Sequence, residues 1–247
     1  MQFRIRAFRA TTDQEACLKF IEGHRHVLET VGVQQVTSSK DSWMNNPSAF
    51  AIIVESLDKK KVYGGARINV ADGITPLPIE DATGYMDDNI YNMVRKSSEE
   101  GTGELCGLWN TREVAGYGIG AFFATRVGVV IAEQLGIKSI WALCAPYTVK
   151  FAERVGCVVV KELGNNGTFY YPKIDLLATA VMMEDAWKMT TADPYEISRI
   201  TDLRKNLVQT AIEIVPFGKL EVEIEYNLIL NNIIKDEFKI SAEKYTY

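Results

Sequence analysis

Residues 114–137 read VAGYGIGAFFATRVGVVIAEQLGI, with glycines at 116, 118 and 120 directly before an apolar run of helical spacing. Glycine adopts backbone angles closed to other residues, so such a turn can aim several N–H groups at one anion. The helix behind it, about Ala121 to Leu135 with Phe122, Val129 and Ala132 on one side, adds the partial positive charge of its N-terminus. Gly136 ends that helix. Taken alone, the turn suits either an anion, such as a pyrophosphate or the phosphate of a pantetheine arm, or close strand–helix packing.

On either side of this segment, strands and helices alternate. GELCGLW precedes it as a short strand; SIWALCA follows as a buried strand, TVKFAERVG as a short helix, and CVVVKEL and GTFYYP as further strands. Near the N-terminus, Phe3, Ile5 and Ala7 alternate with polar neighbours, and Thr12-Asp13 caps a helix ending at Gly32. AFAIIVES, the polar turn LDKKK and VYGGARINV make a β-hairpin over 49–70, whose Gly64-Gly65 pair predicts a bulge or a close backbone approach. Residues 71–102, with Pro76, Pro78 and a helical stretch around Ile90, Met93 and Val94, read as a surface-facing insertion. After Trp187 come a helix from Asp193-Pro194 to Leu207, with Pro194 at its first position, and the alternating strand KLEVEIEYNLIL. The fold class is α/β (α+β), a mixed central sheet flanked by helices. It forms a single domain, with a core of about 1–186 and an extension of about 187–247 packed on it.

The 247 residues are 47% hydrophobic and 24% charged, with net charge −5, so the chain is an ordinary globular protein without the basic footprint of a nucleic-acid binder. Cys17, Cys106, Cys144 and Cys157 lack paired spacing and read as buried thiols in a reducing compartment. The charged N-terminus is unlike a secretory signal, and no apolar run reaches membrane-spanning length, so a cytoplasmic protein with no integral membrane segment is expected. His24 and His26 lie two apart on a helix, point to different faces and are expected at the surface; no metal site is expected.

The succession of glycine turn, helix, Gly136, buried strand and a short helix ending ERVGC resembles the donor-binding half of the GNAT N-acyltransferases. Within that family the turn is Q/R-x-x-G-x-G/A; Gly118 and Gly120 match the glycines, Ala115 replaces the leading Arg or Gln, and Arg112 lies three residues upstream. Where the family commonly has Tyr-x-x-x-G-F, this chain has Ala152 to Cys157, without the tyrosine that often serves as general acid. The N-terminal half, with GHRHVLETVGV, Asp41 and VYGGARINVADGITPLP, is similar in order and spacing to acyl-homoserine lactone (autoinducer) synthases and the long-chain N-acyl amino acid synthases. Arg25, Glu29, Gly32, Asp41, Gly65 and Arg67 fall on that pattern, which covers about residues 20–172. The lactone synthases' Glu-x-x-Arg reads Glu104-Leu-Cys-Gly107 here, which favours the acyl amino acid synthases.

The resemblance implies transfer of an acyl group from a thioester, acyl-CoA or acyl-phosphopantetheine on an acyl carrier protein, to a small-molecule amine, with no tightly bound cofactor. Amine attack needs a base for the ammonium proton, and Glu104 beside the turn is the candidate. Backbone N–H groups between Leu108 and Asn110 are candidate oxyanion donors, and Trp109 lies between them. Gly116, Tyr117, Gly118, Ile119, Gly120 and Arg112 are expected at the donor. Arg67 is a candidate clamp for an acceptor carboxylate, with Arg25, Asp41 and Trp43 beside it. Trp43, Trp109 and Trp141 fit either an acyl tunnel or core packing, with the pair at 122 and 123 closing its end; Arg126 reads as a helix-surface charge. An acetyl-CoA-dependent small-molecule acetyltransferase and a non-catalytic thioester- or partner-binding module stay open as alternatives.

Overall fold

The computed structural model of the chain describes residues 1–33, 36–216, 220–234 and 236–247. In chain order the elements are β1 (Gln2–Arg9), α1 (Gln14–Thr30), β2 (Ala49–Glu55), β3 (Val62–Val70), α2 (Pro78–Thr83), α3 (Asn89–Ser98), β4 (Thr102–Asn110), α4 (Arg112–Ala115), α5 (Phe122–Ala132), β5 (Ser139–Cys144), α6 (Val149–Val155), β6 (Val158–Val159), β7 (Thr168–Tyr170), β8 (Leu177–Met183), α7 (Pro194–Lys205), β9 (Val208–Ile214) and β10 (Glu221–Asn227). The strands join one mixed sheet in the order β6-β8-β5-β4-β3-β2-β1-β10-β9, with β7 also on β8. Two neighbouring pairs are parallel, β1 with β10 and β4 with β5.

The sheet separates two cores, because side chains alternate across each strand. On β2, Phe50, Ile52 and Val54 enter the large core around α5, whereas Ala49, Ala51 and Ile53 meet Cys17 and Phe20 of α1. Asp13 starts α1 by accepting the Ala16 N–H at 3.0 Å, as the Thr12-Asp13 signal predicts. The glycine pair on β3 meets the expectation of close approach. A Cβ on Gly65 would stand 2.2 Å from the Ile52 carbonyl oxygen, and one on Gly64 2.5 Å from that of Trp109.

Several expectations are corrected. Residues 71–102 are not a surface insertion, because α2 buries Pro78, Ile79, Glu80, Ala82 and Thr83. Of CVVVKEL only Val158–Val159 is strand. Strands β8 and β9 were not foreseen: β8 is buried on both faces and so lacks alternation, while β9 follows α7 with no Gly or Pro between them. The expected strand KLEVEIEYNLIL is strand over Glu221–Asn227, and its first residue, Lys219, lies outside the described residues.

Helix α5 is buried at every position. Helices α6 and α7 pack against it and Glu213 of β9 reaches it, so it has no solvent face on which Arg126 could be a surface charge. Arg126 is 1% exposed, with Nε 2.7 Å from Glu196 and Nη1 2.8 Å from Glu213. Arg154 and Arg199 complete this network from α6 and α7. His24 is likewise buried, against Phe20, and burial with the Arg67 charge lowers its pKa to about 4. No helix of the described residues is long and apolar enough to cross a membrane.

Candidate active site

The wedge that organises the site begins at Glu104. β4 and β5 pair only from Thr102↔Ser139 to Glu104↔Trp141, after which β4 continues with β3 and β5 with β8. A bulge supplies the bend: Gly65 is opposite Trp109 and Arg67 opposite Cys106, so Gly107 and Leu108 together face Ala66. Gly107 has φ +61, a conformation that suits glycine. The Thr111 N–H donates to the Tyr63 carbonyl on the β3 side. By the two-residue alternation of a strand, the Asn110 amide then faces away from β3, toward the wedge.

At the far end of β4 the glycine turn packs onto the strand. Gly118 has φ +68, and a Cβ on Gly120 would stand 2.4 Å from Asn110 Oδ1 and 2.9 Å from Gly64 Cα. Glycine is therefore required at 118 by conformation and at 120 by contact. Gly116 has φ −66 and open space around it. Tyr117 is partly buried on the core, whereas Arg112 and Ala115 are exposed. The Ile119, Gly120 and Ala121 amides have no backbone acceptor among the described residues, and Asn110 Oδ1 and Thr111 Oγ1 are buried without partners there. That leaves unsatisfied donors and acceptors beside the wedge, a suitable lining for an amide-bearing arm.

Arg67 and Asn69 of β3 open on the sheet's other face, into a cleft of about 470 Å³ also lined by Thr37, Lys40, Trp43 and Asp81. Arg67 is 2% exposed. It donates from Nε to Asn69 Oδ1 at 2.6 Å and from Nη1 to the Ser38 carbonyl at 2.9 Å, and its guanidinium lies 4.8 Å from the Trp43 ring centre. No carboxylate pairs with it among the described residues, so a buried positive charge remains for an anion entering the cleft. The wall opposite is fixed by the Tyr171 hydroxyl, which accepts the Thr37 N–H at 2.6 Å, and by Lys40 on Asp81 at 2.9 Å.

Glu104 is the cross-strand partner of Asn69, one strand behind the cleft wall. Its Oε2 accepts the Ile79 N–H at 2.6 Å. Burial raises its pKa to about 8; the Ile79 N–H and Arg67 oppose the rise, while Glu80 and Asp81 add to it. A buried carboxyl with a pKa well above the usual carboxylate range thus sits where the wedge opens.

The structure brings Glu104, Arg67 and Trp43 together on one side and the 108–120 segment on the other. Arg25 and Asp41 are exposed, and neither lines the cleft. Trp109 and Trp141 are core residues: Trp109 packs edge-on to Phe20, and Trp141 belongs to the cluster around Ile79 and Ile90. Phe122 and Phe123 pack on each other in the large core. Glu80 and Tyr171 had no part in the sequence reading; Glu80 three residues after Leu77 was the readable sign, since its carboxylate caps α2 by accepting the Leu77 N–H at 2.7 Å. Among the described residues no group of His, Cys, Asp or Glu is placed to hold a metal ion.

Two splayed strands, a bulged β4 and a glycine turn opening a buried helix make a GNAT-like fold. Among solved structures, the chain is similar to FeeM, an N-acyl amino acid synthase from uncultured soil microbes, at 14% identity and a TM-score of 0.55, over 79% of this chain and 98% of FeeM. It is also similar to MesI, a CoA-dependent acyl-homoserine lactone synthase, at 14% identity and a TM-score of 0.50, over 82% of this chain and 95% of MesI. No family model matches the chain. No curated protein sequence matches it.

Proposed function

We propose that the chain is an N-acyltransferase that moves an acyl group from a CoA or carrier-protein thioester to the amine of an amino acid or a similar small molecule. The observation that carries this reading is the buried Glu104 carboxyl at the mouth of the wedge, with the anion-ready Arg67 cleft one strand away. The acceptor's carboxylate pairs with Arg67, and its ammonium proton passes to the Glu104 carboxylate, directly or through a water. A base with a pKa about 8 is well matched to an amino acid ammonium. The freed amine forms the C–N bond to the thioester carbonyl, whose oxygen gathers negative charge beside the Asn110 amide. The C–S bond then breaks, and the thiolate leaves with the second proton that the attacking nitrogen gives up as it becomes the amide.

For the donor, the free amides of the turn and the unpaired Asn110 and Thr111 oxygens favour a pantetheine arm. FeeM is an N-acyl amino acid synthase, which points in the same direction. Incubation with CoA and carrier-protein thioesters of graded chain length plus mixed amino acids, read by mass spectrometry, tests the reading. N-acyl amino acids are the expected products; acetylated products alone, or thioester binding without product, would replace it. Arg67→Ala should raise KM for a carboxylate-bearing acceptor by about 10- to 100-fold, the worth of a charged hydrogen-bond pair. An amine lacking the carboxylate should not feel the change.

A further inference from the structure

We propose that Glu80, held by the Tyr247 hydroxyl, is a positioning residue for Glu104; this rests on the reading of Glu104 as the base. The two carboxylates grip the same first turn of α2. Glu104 accepts the N–H of Ile79, and Glu80, the next residue, accepts the N–H of Leu77. Glu80 is wholly buried, and its Oε1 has no partner among the described residues. A half-paired, fully buried carboxylate is costly to keep. Capping a six-residue helix from the surface would need no such burial, so its effect on Glu104 is the better account of its place.

The segment after β10 returns to cover this turn. Tyr247 donates its hydroxyl to Glu80 Oε2 at 3.0 Å, Arg95 of α3 holds the Tyr247 carbonyl at 3.0 Å, and Thr246 donates its N–H to the Gly73 carbonyl at 2.9 Å. Burial lifts the Glu80 pKa to about 7, against the opposing hydrogen bonds from Leu77 and Tyr247. Its charge in turn raises the Glu104 pKa. The other ionisable groups facing the pair are Arg67 on β3, Asp81 on α2, Arg95 on α3, Tyr245, Tyr171 and the thiols of Cys106 and Cys144. Both thiols are pushed up to about 12 and Tyr171 is also raised, so these three stay neutral over the working range.

Glu80→Gln keeps an acceptor for Leu77 but removes the charge. It should lower the acid-limb midpoint of kcat/KM by about one pH unit, a tenfold change in proton affinity. Tyr247→Phe should move the midpoint the same way by less, because Glu80 without its hydroxyl donor protonates more readily. A merely structural role would lower the rate or the melting temperature and leave the midpoint in place, and an unmoved midpoint in both variants overturns the proposal. Tyr247→Phe leaves the Leu77 cap intact and serves if Glu80→Gln does not fold. The Glu104 midpoint is also read without substrate, from urea unfolding against pH in each variant with and without Glu104→Gln. If that midpoint moves while no variant acylates an amine, the link between the carboxyls holds and the base assignment is what fails.

Discussion

Replacing Glu104 with Gln changes one property of the site, since Gln still accepts the Ile79 N–H and fills the same space. The folded carboxyl titrates near 8, against an ordinary value of 4.5 for glutamate. Between those values the folded state keeps a proton that the unfolded chain has released. The stability this gives is fully present below pH 4.5 and is lost as the pH rises through 8. At 1.36 kcal/mol per unit, the loss reaches about 3 kcal/mol at pH 7 and about 5 kcal/mol at pH 9. Solvent screening calls for no discount, because Glu104 is 2% exposed. Wild type and Glu104→Gln should therefore have similar urea midpoints at pH 5, and the variant should be the more stable by several kcal/mol at pH 9, with unchanged m-values. Parallel stability curves from pH 5 to 9 would show that Glu104 is ionised in the folded state, and the electrostatic argument would fall.

The glycines of the turn should differ sharply. Gly116→Ala meets nothing and should cost less than about 0.5 kcal/mol, whereas Gly120→Ala drives a Cβ into Asn110 and Gly64 and should cost about 2 kcal/mol along with thioester affinity, measured by thermal unfolding and calorimetry. Arg126→Met leaves Glu196 and Glu213 in a dry interior with one arginine fewer. Urea unfolding should register a loss of about 3 kcal/mol.

Much of this arrangement could be read from residues close together in the chain. The glycine turn, the Asp13 cap, the hairpin at 49–70 and the place of Glu104 on β4 all follow from local pattern, because each is set by backbone conformation or alternation. What escaped depends on contacts distant in sequence. Strand β9 exposes Val208, Ile212 and Ile214 and buries Glu213, the reverse of the usual polarity, because Arg126, from another element, waits beneath it. Arg126 looked like a surface charge for the same reason: its helix is covered by segments some 70 to 90 residues later in the chain. Glu80 sits in a stretch whose prolines signal a loop. Only the fold shows that Pro78 begins a buried helix whose second amide reaches Glu104.

The most direct measurement is thiol release from an acyl thioester by the wild type and by Glu104→Gln, each with and without an amino acid acceptor. Release should require the acceptor, and the variant should be slower by about 10²- to 10⁴-fold, the usual worth of a general base. Release that ignores the acceptor, or proceeds equally in both proteins, would contradict amine acylation at Glu104.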